Sequence, residues 1–274
     1  MASASDGYLL SDSASEVERL RLQVRVWEPE AEAMLDRIAL QPGWQCIDLG
    51  CGAMGILGPL SRRVGPTGRV VGVDVGATQL GAALAFVQDE GLANVEILER
   101  DAYHTGLPRE SFDFVHVRFL FGPVGRDDEL LREMLALTRP GGIVAIQEAV
   151  DGTSWRCYPP HPAWDQLTRA ILAAFAQGGG DFNVGQRTYG MVRAAGLRDV
   201  QVRPAVLALQ HGHPYMRLPI LMATSLRPRI LEGGLLSEAE LDEALAGCEQ
   251  VAQDPERFAL TFVVTQVWGR KPGG

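Results

Sequence analysis

The sequence is poor in lysine and has no clustered positive charge. Lys271 is the only lysine among 274 residues, the formal net charge is −9, and the arginines form no basic run. A protein that grips nucleic-acid phosphates needs a basic face, so we expect no nucleic-acid partner. An acidic chain suits a small neutral or cationic ligand better. The preference for arginine, with abundant Ala, Gly, Leu and Val, is typical of a GC-rich bacterial genome.

Long apolar runs and paired cysteines are also missing. No uncharged apolar stretch approaches the roughly 20 residues of a membrane span, and the first 20 residues lack the basic and apolar regions of a secretory signal. We therefore expect a cytoplasmic protein without a membrane partner. A chain of this length needs no disulfide staple, and its cysteines form no C-x-x-C pair, so reduced thiols are expected. They are Cys46, Cys51, Cys157 and Cys248.

A helical segment precedes the first strand. Apolar residues at helical spacing predict a helix over 15–27, and Pro29 fits the first turn of a second helix. We expect residues 1–40 to form an N-terminal helical lid and residues 41–274 to form the main domain.

From residue 44 onward, short apolar runs alternate with helical segments. Near-continuous apolar strands separated by helices predict an α/β fold with a buried, parallel, doubly wound sheet. After a further helix and strand over 190–209, a long β-rich run covers 258–271. Insertions at about 149–183 and 210–256 predict a substrate cap. The first five predicted strands are 45–50, 69–75, 95–102, 112–119 and 142–149.

The stretch CIDLGCGAMG (46–55) has the glycine spacing of a dinucleotide-binding loop. Glycines at a strand tip let the backbone approach a ligand closely, and sites for NAD and for S-adenosylmethionine share this feature. Asp48 favours the second ligand, because its charge is unfavourable beside a pyrophosphate but suits the ammonium of a methionine moiety. Asp101, after the third strand, can accept a hydrogen bond from an adenine amino group.

Five blocks, in order, resemble the class I S-adenosylmethionine-dependent methyltransferases. The resemblance is strong over about 44–150 and looser over 184–270. It implies a Rossmann-like seven-stranded sheet in the order 3-2-1-4-5-7-6, with the seventh strand antiparallel. The matching blocks are CIDLGCG (46–52), VVGVDV (70–75), ERDAYHTGLP (99–108), FDFVHVRFL (112–120) and TRPGGIVAIQE (138–148).

The resemblance also implies how a cofactor is held. Asp74 should accept hydrogen bonds from the ribose hydroxyls, and Val75 should pack on the adenine. Asp101 should face the adenine amino group, and Arg118 should border the methionine carboxylate. Cys51 is expected to be a small filler of the loop. The implied cofactor-binding set is Asp48, Gly50, Cys51, Gly52, Asp74, Val75, Asp101, Ala102 and Arg118.

Two departures from the family pattern bear on chemistry. Met54 stands where a third glycine is commonest, with Gly55 following, and Pro123 stands near the position where relatives often carry a histidine base. The candidate catalytic residues are therefore Glu148 and His213. Glu148 is either a buried hydrogen-bonding carboxylate or a substrate-facing base. The pair of histidines in QHGHPY lacks a nearby carboxylate, so no metal is expected.

The resemblance implies methyl transfer to an oxygen or carbon nucleophile of a small molecule, as in bacterial secondary metabolism, with S-adenosylhomocysteine as product. Three alternatives stay open: a protein of this fold that binds the cofactor but catalyses another reaction such as cyclisation, an NAD-dependent oxidoreductase, and a non-enzymatic regulator. A homodimer is one assembly that stays open. The candidate substrate-binding residues are Tyr8, Trp27, Phe121, Trp155 and Tyr215.

Overall fold

The computed structural model describes residues 14–273, so Tyr8 lies outside the described part of the chain. The strands are β1 (Gln45–Leu49), β2 (Arg69–Asp74), β3 (Val95–Glu99), β4 (Phe112–Arg118), β5 (Thr138–Asp151), β6 (Arg156–Tyr158), β7 (Arg198–Ala205), β8 (Ala208–Leu209), β9 (Phe258–Leu260) and β10 (Val263–Arg270). The α-helices are α1 (Ala14–Ile38), α2 (Leu57–Val64), α3 (Ala77–Asp89), α4 (Phe121–Val124), α5 (Asp127–Leu137), α6 (Pro162–Gln177), α7 (Gly185–Ala194), α8 (Leu218–Ser225), α9 (Arg227–Glu232) and α10 (Glu238–Gln253).

Seven strands form the large sheet in the order β3-β2-β1-β4-β5-β10-β7. Strands β1 to β5 run parallel to one another, whereas β10 runs antiparallel to both β5 and β7. Counted along this sheet alone, the order is 3-2-1-4-5-7-6, which confirms the predicted fold class. The carboxyl ends of β1 to β5 meet at one edge, where ligands bind in sheets of this kind.

Helix α1 continues through Pro29, so the predicted break between two helices is wrong. A proline inside a helix costs about 3 kcal/mol. Beyond it, Ala31, Met34 and Leu35 are fully buried against the sheet, and burying one such large side chain contributes about 1.5–3 kcal/mol. Tertiary burial therefore outweighs the local penalty, and the second half of α1 forms a layer of the fold.

The two insertions meet in one cap. Strands β6, β9 and β8 form a small antiparallel sheet, and helices α6, α8 and α10 pack beside it around a core that includes Trp164, Leu241 and Cys248.

The predicted β-run over 258–271 is divided between two sheets, because β9 belongs to the cap and β10 to the large sheet. Thr261 marks the division, since its Oγ1 accepts the N–H of Leu207 at 3.0 Å. Phe262 then turns into the cap core. Within residues 14–273, none of the helices combines the length and the hydrophobicity that crossing a bilayer requires.

Candidate active site

The loop after β1 contains three glycines whose backbone conformation favours glycine. Gly50, Gly52 and Gly55 all have positive φ, at 67°, 55° and 50°. A Cβ atom added to Gly55 would lie 2.0 Å from Asp48 Oδ2, well inside van der Waals contact. The loop therefore needs its last glycine at position 55, directly after Met54.

Asp48 stabilises this loop through hydrogen bonds. Its Oδ2 accepts the N–H of Ile56 at 2.8 Å, and its Oδ1 lies 2.6 Å from His116 Nδ1. The side chain is only 2% exposed. Both carboxylate oxygens are therefore engaged with protein groups, which is the arrangement of a residue that organises the loop rather than one that meets an ammonium directly.

Asp74 ties the tip of β2 to the same loop. Its Oδ2 accepts the N–H of Gly52 at 2.8 Å, and its Oδ1 accepts those of Val75 and Gly76 at 2.8 and 3.0 Å. Burial raises the pKa of Asp74, although these N–H groups oppose that shift. A carboxylate offers about four acceptor positions, so Asp74 keeps capacity for a ligand hydroxyl. The adjacent Val75 side chain is 43% exposed and offers an apolar surface there.

The tip of β3 contributes a tight turn. Asp101 Oδ1 accepts the N–H of Tyr103 at 2.9 Å, and Ala102 is buried in the sheet core. The guanidinium of Arg126 lies over the Tyr103 ring at 4.2 Å from its centroid. This turn fixes Asp101 at the same edge as Asp74, as expected from the parallel order of β2 and β3.

Arg118, at the end of β4, has a buried guanidinium group. Its Nη2 donates to the carbonyl of Gly55 at 3.3 Å, whereas its Nη1 is buried and has no hydrogen-bond partner within residues 14–273. Burial lowers the pKa of Arg118, and the carboxylate of Asp48 opposes that shift. An unpaired buried charged donor is costly. The residues present therefore fit a ligand that brings an anionic group, such as a carboxylate, to this end of the loop.

Cys51 is engaged with the protein through both its backbone and its thiol, and its N–H donates to the Val73 carbonyl at 2.9 Å. The Sγ atom packs into the sheet so closely that a Cβ atom on Gly72 would lie 3.0 Å from it. Burial raises the pKa of the Cys51 thiol, and the nearby carboxylates of Asp74 and Asp48 reinforce that shift. A buried thiol of raised pKa is inert.

Glu148, near the end of β5, stabilises the turn that follows β4. Its Oε1 accepts the N–H groups of Leu120 and Phe121 at 2.7 and 2.8 Å, and the side chain is 2% exposed. Burial raises the pKa of Glu148 to about 8. These contacts favour the role of a buried hydrogen-bonding carboxylate, while a role as substrate-facing base stays a prediction.

Three of the candidate substrate residues come together in the cap. Trp27 stacks on Phe262 with ring centroids 5.8 Å apart, and its Nε1 donates to Tyr215 Oη at 3.1 Å. Trp155 packs edge-to-face against Phe262 at 5.6 Å, and its own indole N–H is buried and finds no partner in the described part of the chain. The three side chains share one apolar cluster.

Phe121 lies apart from these three residues. It packs in the core of the large sheet with Leu130 and Val184 rather than in the cap, because it begins α4 with its N–H held by Glu148. The ring that faces the cap from this turn belongs to Phe119, which lies edge-on to Trp27 at 6.0 Å. Phe119 has a φ of 58°, an uncommon conformation for a bulky residue. Sequence reasoning missed it, since two phenylalanines stand almost side by side and only the turn distinguishes them.

His213 stabilises the turn in which it lies. Its Nδ1 accepts the N–H of Tyr215 at 3.1 Å and caps the short 3₁₀ helix Pro214–Arg217. Burial lowers the pKa of His213. Its part in catalysis stays a prediction. Within residues 14–273, no group of three or more His, Cys, Asp or Glu side chains is arranged to hold a metal ion.

A cleft of about 400 Å³ lies beside the loop, between α1 and helices α2 and α3. Met54 and Gly55 line it, together with residues of both charge signs such as Arg62 and Glu28, but Asp74 and Asp101 do not. The strand tips, with their convergent hydrogen-bonding groups, are therefore the better candidate for the cofactor site.

Comparisons with known proteins agree with this geometry. Residues 46–142 match a family described as a methyltransferase domain. A demethylmenaquinone methyltransferase of Geobacillus stearothermophilus is 27% identical over 191 residues, which cover 66% of this chain and 82% of the relative. The nocamycin O-methyltransferase of Saccharothrix syringae is 36% identical over 133 residues, which cover 48% of each chain.

The fold is shared with a solved S-adenosylmethionine-dependent methyltransferase from Aquifex aeolicus. The TM-score is 0.50 at 23% identity, with 72% of this chain and 92% of the other covered. Together these findings confirm the enzyme class that the sequence blocks indicated, and with it S-adenosylmethionine as the cofactor. The chain is thus similar to the class I S-adenosylmethionine-dependent methyltransferases, with a methyltransferase domain over residues 46–142.

Proposed function

We propose that the enzyme methylates an oxygen or carbon nucleophile of a small organic molecule, in the manner of a secondary-metabolite methyltransferase. The observation that carries this proposal is the cap, whose aromatic cluster of Trp27, Phe119, Trp155, Tyr215 and Phe262 adjoins the turn after β4. An apolar, ring-lined enclosure suits a small organic acceptor. Demethylmenaquinone and nocamycin, in the names of the two relatives, are such acceptors.

The cofactor assignment follows from the strand tips. We assign Asp74 to the ribose hydroxyls, Val75 to the adenine face, Asp101 with Ala102 to the adenine edge, and Arg118 to the methionine carboxylate. The unpaired Nη1 of Arg118 supports the last of these, because a carboxylate satisfies that donor with a charge-assisted hydrogen bond. Gly50, Cys51 and Gly52 contribute backbone, and Asp48 holds the loop in shape.

Proximity and exclusion of water are the main contributions of the protein. The bound cofactor supplies an electrophilic methyl group on a sulfonium. Holding two reactants in line can remove about 7–11 kcal/mol of the barrier, and charge is lost as an anionic nucleophile meets that group, so a dry enclosure accelerates the step. The buried rings of the cap, which Phe119 packs against, offer an apolar surface for this purpose.

The acceptor must ionise without much help. Glu148 Oε1 is occupied by two backbone N–H groups, and His213 Nδ1 by one. His213 Nδ1 cannot take a proton without giving up the N–H of Tyr215, and burial, which raises the pKa of Glu148 to about 8, leaves little of its basic form at neutral pH. This arrangement favours acceptors that are themselves acidic, such as phenols and enols, over alcohols or amines.

Methyl-labelled cofactor tests the proposal. The enzyme is incubated with it and with a panel of a hydroquinone, a simple phenol, an enolic β-dicarbonyl, an aliphatic alcohol and an amine, and products are read by mass spectrometry. We expect label on oxygen or carbon of the acidic acceptors. Label confined to the amine would contradict the acceptor class. An unlabelled, rearranged product would show that the bound cofactor serves a reaction other than methyl transfer.

A matched pair of variants makes that assay specific for the strand-tip site. Asp74→Ala should lose activity, whereas Glu99→Ala should keep it. Glu99 is an exposed acid that pairs in register with Asp74 across β2 and β3. Equal activity in both variants would contradict the cofactor assignment.

A further inference from the structure

A line of buried polar side chains crosses the middle of the large sheet. Asp48 on β1, His116 on β4, Gln147 on β5 and Gln266 on β10 are each at most 2% exposed. His116 Nδ1 lies 2.6 Å from Asp48 Oδ1, and His116 Nε2 lies 2.8 Å from Gln147 Nε2. Gln266 Nε2 donates to Gln147 Oε1 at 2.8 Å. The four side chains therefore form one continuous hydrogen-bonded chain.

The hydrogen-bonded chain of side chains ends on helix α1. Gln266 Nε2 also donates to the backbone carbonyl of Glu30 at 2.9 Å. Gln266 Oε1 accepts from Arg203 Nη1 at 2.7 Å, and Arg203 forms an ion pair with the Glu30 carboxylate at 2.5 Å. Contacts thus run without interruption from the N-terminal helix to the residue that holds the glycine loop.

The chemistry of the end groups sets the direction of every hydrogen bond. Arg203 can only donate and the Glu30 carbonyl can only accept, so Gln266 must present Oε1 to the first and Nε2 to the second. Gln266 Nε2 then also faces Gln147, which must present Oε1 to it.

The same logic fixes the proton on the histidine. Gln147 must turn its Nε2 donor toward His116, so His116 Nε2 has to accept. The ring proton then resides on Nδ1 and is donated to Asp48. All donors point from Arg203 toward Asp48, an alignment in which each bond polarises and strengthens the next.

A contribution to stability alone does not account for this hydrogen-bonded chain of buried side chains. Polar side chains in the centre of a sheet carry a desolvation cost that well-packed apolar residues avoid. Their neighbours along the same strands, such as Ile47, Val117 and Ile146, are fully buried and apolar. The arrangement instead constrains Asp48, whose other oxygen holds Ile56 beside the close contact at Gly55.

We propose that His116, Gln147 and Gln266 are positioning residues for methyl transfer. Through Asp48 they hold the glycine loop in its cofactor-binding shape, and through Gln266 they make that shape depend on the docking of α1. The role in cofactor binding rests on the proposed cofactor site, whereas the direction of the chain rests on the hydrogen bonds alone.

Nitrogen NMR of ¹⁵N-histidine-labelled enzyme tests the direction. The His116 signals are assigned by their loss in His116→Gln. We expect the neutral Nδ1–H form in the wild type, and a shift toward the Nε2–H form in Gln147→Met, which removes the donor to Nε2. A wild-type ring protonated on Nε2 would overturn the proposal, whether or not the enzyme binds any cofactor.

Calorimetry with S-adenosylhomocysteine tests the positioning. Gln266→Met lies three strands away from β1 yet should weaken binding by about threefold to tenfold, as expected for the loss of a buried hydrogen bond. Thr265→Val, the neighbouring residue on the same strand, is the matched control and should stay within about twofold. Arg203→Met, on the outer strand, should change affinity in the same direction if Gln266→Met fails to fold.

The outcomes separate the two proposals. Equal affinities for wild type, Gln266→Met, Arg203→Met and Thr265→Val would overturn the positioning role. A wild-type enzyme that does not bind S-adenosylhomocysteine would instead overturn the cofactor site, and the histidine spectra would still decide the direction of the chain.

Discussion

The strand-tip edge of the large sheet and the cap are stabilised by different kinds of contact. At the edge, carboxylates and backbone N–H groups converge, as where Asp74 accepts three N–H groups from two segments. In the cap, aromatic rings pack against one another, and between residues 14 and 273 nothing accepts the indole N–H of Trp155. The edge is thus fixed by the backbone, whereas the cap is defined by side-chain shape. Changes at the edge should alter cofactor affinity, and changes in the cap should alter the acceptor.

The largest effect on cofactor binding is expected from a substitution in the glycine loop. Gly55→Ala should abolish cofactor binding and cost at least about 2 kcal/mol of unfolding free energy, since the new methyl group would meet Asp48 at positive φ. Gly91→Ala is the matched control, because Gly91 has a φ of 63° and open space around it. It should cost about 1–2 kcal/mol and leave binding unchanged. Chemical denaturation and calorimetry measure both, and equal losses of binding would contradict the account of the loop.

Asp74→Ala should come next in size. Hydrogen bonds to a buried ligand are lost, so affinity for S-adenosylhomocysteine should fall by about 10- to 100-fold, or roughly 1–3 kcal/mol. Glu99→Ala removes an equal charge from the adjacent strand and should bind like wild type. Calorimetry decides, and wild-type affinity in Asp74→Ala would remove the ribose assignment.

The cap offers a sharper comparison between two tryptophans. The Trp164 N–H donates to the Trp155 carbonyl at 3.1 Å, whereas the Trp155 N–H has no partner among the residues that the structure describes. Trp164→Phe should therefore be less stable than Trp155→Phe by about 1 kcal/mol. Both should bind S-adenosylhomocysteine like wild type, while Trp155→Phe should raise KM for the acceptor. Thermal unfolding and steady-state kinetics test these expectations. A weaker cofactor affinity in Trp155→Phe would contradict the division of roles between the edge and the cap.

Glu148→Gln should produce the smallest effect at neutral pH. The amide oxygen of Gln can still accept from Leu120 and Phe121, so turnover should keep its pH profile. Because burial raises the pKa of Glu148 to about 8 from 4.5, the stabilisation that its protonated form provides is present at low pH and is lost as pH rises through that window. The variant should gain stability relative to wild type between about pH 5 and 8. A bell-shaped turnover profile that the variant flattens would restore Glu148 as a base.

The sheet and its strand tips could be predicted because their signals are local. Apolar runs and glycines at 50, 52 and 55 identify β1 and its loop without knowledge of the rest of the chain. The same holds for Asp74, which ends β2, and for Asp101, which comes two residues after β3. Their position at one edge then follows from the parallel order alone.

What the sequence could not predict depends on distant contacts. Pro29 remains inside α1 because residues beyond it are buried against the sheet. The choice of Phe119 over Phe121 depends on the Glu148 carboxylate, which comes from β5. The pairing of Asp48 with His116 needs the register of β1 with β4, which no local pattern reveals.

Binding of the cofactor to the strand tips is the central claim, and titration of the wild-type enzyme by calorimetry tests it most directly. We predict that S-adenosylhomocysteine binds one site per chain and that NADH produces no heat of binding. Tight binding of NADH with no response to S-adenosylhomocysteine would contradict the account.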